Sequence, residues 1–119
     1  MTIIISTDLT PYSIARNMKS GQATLHIDVK NASNEDKLVS ILVRTGRGLS
    51  ITKGGLVREK AQELGMLKAR GEVDFYTEIF PTYNAAQGYD RVVIVVREHY
   101  KDYQHILKTY TKDMAIRID

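Results

Sequence analysis

From Thr24 to Lys30 the chain reads T-L-H-I-D-V-K, so Leu25, Ile27 and Val29 fall on one side and His26, Asp28 and Lys30 on the other. Strict alternation marks a strand with one buried and one solvated face. It runs into Asn31-Ala32-Ser33-Asn34-Glu35-Asp36, a stretch rich in side chains that hydrogen-bond their own backbone and so favour a turn. Lys37 to Thr45 then sets Val39, Ile41 and Val43 against Leu38, Ser40, Leu42 and Arg44, which predicts a more deeply covered strand. Gly46 and Gly48 break it, and Leu49-Ser50-Ile51 alternates briefly before Lys53-Gly54-Gly55. Glu72 to Phe80 alternates again, with Val73, Phe75, Thr77 and Ile79 inward, and Pro81 closes it because proline has no N–H for a central ladder. Arg91 to Arg97 encloses Val92-Val93-Ile94-Val95-Val96, whose β-branched side chains suit a pleated sheet, and is expected to be the central strand. His105 to Ile118 predicts one long or bulged final strand.

Two segments have helical potential. Tyr12 to Lys19 lacks an apolar stripe. Leu56 to Leu67 places Val57, Ala61, Leu64 and Leu67 at near-helical spacing, which fits either a short helix near Val57 to Leu67 or an irregular connection between sheets. Short strands separated by Gly, Asn and Pro turns predict an all-β, antiparallel β-sandwich of seven or eight strands with at most one short helix. An OB-type barrel is the structural competitor.

The 119 residues, 43% hydrophobic and 26% charged, suffice for one core, so residues 1–119 are expected to form a single β-sandwich domain. No apolar run is long enough to cross a bilayer as a helix, and Ile3-Ile4-Ile5 lacks the flanks of a signal peptide. Cysteine is absent, which excludes disulfides, thiolate metal sites and cysteine nucleophiles, and leaves a cytoplasmic location as the expectation.

Leu25 to Ser33, an alternating strand ending in a polar Asn/Ser turn, resembles the B strand of immunoglobulin-like modules of archaeal and bacterial type. Ala85-Ala-Gln-Gly88-Tyr89-Asp90, running into Arg91 to Arg97, resembles their approach to strand F, where a tyrosine holds the corner. The resemblance spans about Leu9 to Ile118. It lacks the paired cysteines and core tryptophan of antibody domains. It implies an immunoglobulin-like sandwich that binds or scaffolds without chemistry of its own, with Tyr89 at the corner.

Charge is distributed unevenly. Lys37 to Arg70 holds eight basic and two acidic residues, a net +6, whereas the rest of the chain sums to −3. Arg44, Arg47, Lys53 and Arg58 are therefore the candidate face for an anionic partner, with nucleic acid the alternative ligand class. Glu98 to His105 collects the most reactive side chains, and His99 and His105 would face each other if the chain reverses near Asp102; six-residue histidine spacing is no recognised zinc pattern, however. Thr45-Gly46-Arg47-Gly48 and Lys53-Gly54-Gly55 offer amides to a phosphate but lack the P-loop spacing. Asn31-Ala32-Ser33 matches a glycosylation acceptor, relevant only in a secreted chain. No nucleophile with a base and orienting group is legible. The chain is expected to be a non-enzymatic protein-interaction or accessory module without cofactor or metal, pairing with a protein partner or with itself as a homodimer through a sheet edge, and not with membrane.

Overall fold

The computed structural model describes residues 2–15, 22–53, 57–82 and 85–119. They form β1 (Ile3–Thr10), β2 (Ser13–Ile14), β3 (Ala23–Asn31), β4 (Lys37–Thr45), β5 (Leu49–Ser50), β6 (Glu59–Leu67), β7 (Glu72–Pro81), β8 (Gly88–His99) and β9 (Ile106–Ile118). Seven of these have eight or more residues and two have only two residues, and no helix occurs among the described residues. One sheet has the order β1-β3-β7-β5, the other β2-β9-β8-β4-β6. All pairings are antiparallel except that of β2 with the end of β9. The protein is an all-β sandwich, and β8 is central in the larger sheet, as its valine run predicts.

The core lies between the sheets and follows from the alternation. Leu25, Ile27 and Val29 of β3 are fully buried against Val39, Ile41 and Val43 of β4 and Val92, Ile94 and Val96 of β8. Phe75 fills the same layer from β7 at 5% exposure. Tyr89 departs from expectation. Because Val92, Ile94 and Val96 face inward, the two-residue period turns Tyr89 outward, where it is 74% exposed and holds no corner.

The segment read as a short helix or an irregular connection is neither: it is the edge strand β6. A bulge explains the helical spacing. The register against β4 slips between Val39↔Gly65 and Ser40↔Glu63, leaving Leu64 as the extra residue, so that both Leu64 and Leu67 reach the core. Gly65, at φ 81°, supplies the left-handed backbone this bulge requires.

Asn31 ties the turns at one end together and is completely buried. Its Nδ2 donates to the carbonyls of Glu35, Leu67 and Lys68 at 2.7, 3.0 and 3.2 Å. Its Oδ1 accepts from the Ser33 N–H and hydroxyl. The acceptor nitrogen of the glycosylation pattern is thus enclosed inside the fold.

Candidate functional site

Among the described residues, no strand covers the outer edge of β1. The Ala32 N–H donates to the Thr2 carbonyl, which directs the backbone groups of Thr2, Ile4, Ser6 and Asp8 toward β3. Antiparallel alternation then points those of Ile3, Ile5, Thr7 and Leu9 away from the sheet. The Ile5 carbonyl accordingly accepts a bond from Lys112 Nζ of β9 at 3.2 Å. Only one charged residue, Asp8, lies on β1, and Ile4 is 45% exposed. The three other long edges are guarded differently: β5 covers β7 only at Phe80 and Pro81, and the rest of that edge carries Glu72, Asp74 and Glu78. β2 reaches β9 only at Arg117 and Ile118, and the rest of that edge carries Lys108, Lys112 and Asp113. β6 is bulged and carries Glu59, Lys60 and Glu63. Charges and bulges deter strand addition.

The basic candidates gather near one end of the sandwich. The Thr45 N–H donates to the Arg58 carbonyl at 2.8 Å, the Ile51 N–H to that of Val57, and Arg47 lies in the turn after β4 that the Leu49 N–H closes on the Gly46 carbonyl. Arg44, Arg47, Lys53 and Arg58 are all exposed. Sequence reasoning counted Glu59 but missed its pairing, and missed Asp90. Glu59 binds Arg44 Nε at 2.8 Å, and the Asp90 carboxylate accepts the Gly48 N–H. A Cβ on Gly46 would lie 1.9 Å from Asp90 Oδ1. Of the amides that the sequence offered to a phosphate, that of Gly48 therefore holds the chain's own carboxylate, and Gly54 and Gly55 lie outside the described residues.

Glu98 to His105 divides between the interior and the surface. Glu98 faces inward at 3% exposure and binds Lys37 Nζ at 3.0 Å, with the Thr2 and Tyr110 hydroxyls on its other oxygen. The hydrogen bond and charge of Glu98 hold the Lys37 ammonium above its usual pKa. His99 faces outward from β8 yet is 6% exposed, because Ser40 Oγ meets its Nε2 at 2.7 Å and Tyr103 packs edge-on at 5.1 Å. Tyr103 in turn accepts the Gly65 N–H at 2.9 Å, fixing the β8–β9 turn over β6. His105 instead binds Asp102 at 2.7 Å on the exposed tip and lowers the Asp102 pKa. The two histidines thus serve separate partners, and no group of three metal-ligating side chains forms among the described residues.

On the outer face of the smaller sheet, Asp28 and Asp74 stand directly opposite across β3 and β7. His26 bonds to Asp74 at 2.7 Å and stacks on Tyr76. Asp28 raises the Glu72 pKa by hydrogen bonding and by charge.

No family model matches the sequence, and no curated protein matches it. Solved structures do match the fold. The native conformation of E. coli alpha-2-macroglobulin aligns with TM-score 0.70 at 11% identity, over 99% of this chain and 7% of that one. A FixG-related protein from Vibrio parahaemolyticus aligns with TM-score 0.60 at 7% identity, over 99% and 97%. The alkylpurine DNA glycosylase of Pseudomonas fluorescens, bound to DNA containing an abasic site analogue, aligns with TM-score 0.58 at 12% identity, over 98% and 30%. The chain spans only a small part of the macroglobulin and of the glycosylase. At such identities the likeness shows a shared fold.

Proposed function

We propose that the chain is an immunoglobulin-like accessory module, without chemistry of its own, that acts by adding its β1 edge to a partner sheet. In immunoglobulin terms β1, β3 and β7 stand for strands A, B and E, and β9, β8, β4 and β6 for G, F, C and C′. The observation that carries the reading is the edge of β1, which has a single charge and no strand beside it among the described residues, with Lys112 Nζ on the Ile5 carbonyl as the one contact that pairing must displace. A second copy is the partner its residues suit. Antiparallel self-pairing centred on Thr7 puts Ile5 opposite Leu9, Ile4 opposite Thr10 and Ser6 opposite Asp8, with no like charges facing. It also uses the outward N–H and C=O of Thr7. Absence of cysteine suits a reducing compartment such as the cytoplasm.

Light scattering on the eluting protein tests this reading. Wild type should elute with dimer mass, and Thr7→Pro, which removes an outward N–H while sparing the β1–β3 ladder, should be a folded monomer. A wild type that stays monomeric at high concentration, or a folded Thr7→Pro dimer, refutes it.

The alternative, nucleic-acid binding, draws on the clustering of Arg44, Arg47, Lys53 and Arg58 at one end. Glu59 and Asp90 within that cluster weigh against it. Retention on RNA or DNA that falls steeply with salt would favour it.

A further inference from the structure

We propose that a recess on the outer face of the larger sheet binds a small apolar monocarboxylate, with the carboxylate on Arg97 and the apolar body against Leu42 and Val95. The recess, about 260 Å³, lies between β4, β6, β8 and the β8–β9 turn. That is slightly under the range of sites for drug-sized molecules, which suits a ligand of one ring.

Two nitrogens on one strand face lack partners. Arg97 Nε is closed to solvent without a hydrogen bond, and no carboxylate pairs with its guanidinium among the described residues. Guanidinium stays charged under all ordinary conditions, so a half-buried one without a counter-ion is costly. A carboxylate fits its planar fork with two parallel bonds. Two residues along β8, the 6% exposed His99 lines the same recess with an unpartnered, buried Nδ1. When the Ser40 hydroxyl donates to Nε2, Nδ1 carries the proton and becomes a second donor beside Arg97.

The register sets the shape. Ser40 stands opposite Arg97 and Leu42 opposite Val95, while Glu63 stands on the far side of Ser40. The donors therefore sit on the β8 side, Leu42 and Val95 form an apolar floor in the next row, and Glu63 lies across the sheet on β6 in the row of Arg97. A second negative charge would meet Glu63, which restricts the ligand to one carboxylate.

Nitrogen-15 NMR on the full chain tests this, with benzoate, benzamide and an acetylated tripeptide ending in phenylalanine as the free acid or amide. Benzoate should move the Arg97 Nε–H and the Ser40 and Val95 amides saturably. Benzamide should bind at least about tenfold more weakly, since it lacks the charge that pairs with guanidinium. Arg97→Met should abolish the response, and Arg97→Lys should weaken it. Tighter binding of benzoate than of the peptide acid assigns the site to a free organic acid, and the reverse order assigns it to a chain terminus. Shifts that do not saturate, an equal response to benzamide, or an unchanged response in folded Arg97→Met would overturn the proposal. If Arg97→Met fails to fold, the benzoate and benzamide titrations of wild type decide alone. Dimerisation through β1 engages the other sheet, so either proposal can fail without the other.

Discussion

Replacing Asn31 with alanine removes a fully buried amide that closes five contacts between two turns. Its two amide hydrogens serve three carbonyls, so two donor bonds and two accepted bonds are lost rather than five independent ones. At about 1 kcal/mol for each bond, less some relaxation that lets water reach the outer carbonyls, the loss comes to about 3 kcal/mol. That is a large share of the roughly 5–15 kcal/mol by which domains are stable, and it should lower the melting temperature by roughly 10 °C. The chain has no tryptophan, so the assay is urea unfolding followed by far-ultraviolet circular dichroism. Asn31→Asp sharpens the test. It keeps an acceptor for Ser33 but turns a carboxylate toward three carbonyls, and should be less stable than Asn31→Ala. Asn34→Ala, which loses only an exposed bond from Arg70, is the control. An Asn31→Ala midpoint near that of wild type, or an Asn31→Asp protein more stable than the alanine variant, would refute the reasoning.

Phe75→Ala should cost about 3–5 kcal/mol in the same assay, because its ring is core between β3 and the larger sheet. Gly65→Ala meets no atom within 4 Å but forces a side chain into positive φ, and should cost about 1 kcal/mol. Glu72 has its pKa raised by Asp28, so its ionisation opposes folding, a cost present above its folded pKa and relieved as the pH falls through it. Asp28→Asn should therefore raise the melting temperature at pH 7 and have less effect near pH 3. The lowered Asp102 pKa has the opposite sign: its stabilisation is present above the ordinary aspartate range and is lost on acidification, and His105→Ala should reduce that loss, the Gln104 N–H keeping the remainder.

Strand existence and facing were legible wherever alternation was clean. Leu25, Ile27, Val29, Phe75 and Ile79 are buried as their period requires. β6 was not legible, because a bulge at Leu64 and Gly65 imitates helical spacing and an edge strand needs apolar side chains at few positions. Tyr89 misled for a related reason: a sequence resemblance has no register, and the valines that follow fix the face on which Tyr89 sits. The basic residues were found and Glu59 was counted beside them, but not its pairing with Arg44 or the approach of Asp90 to the Gly48 N–H, since these join positions 15 and 42 residues apart.

Period-two hydrophobicity, with turn residues between the runs, determined by itself that this chain is all-β with one face of each strand buried, because that face must leave water, whereas two stacked sheets in place of a closed barrel were decided by the tertiary structure. Which strand borders which, and therefore which edge stays open, depended on pairings between residues far apart in the chain. The same holds for the polar groups. Asn31, Glu98, Arg97 and His99 look like surface residues in the sequence, and only the stacking of the sheets and the fold of the β8–β9 turn decided which of them are enclosed and which are left without partners.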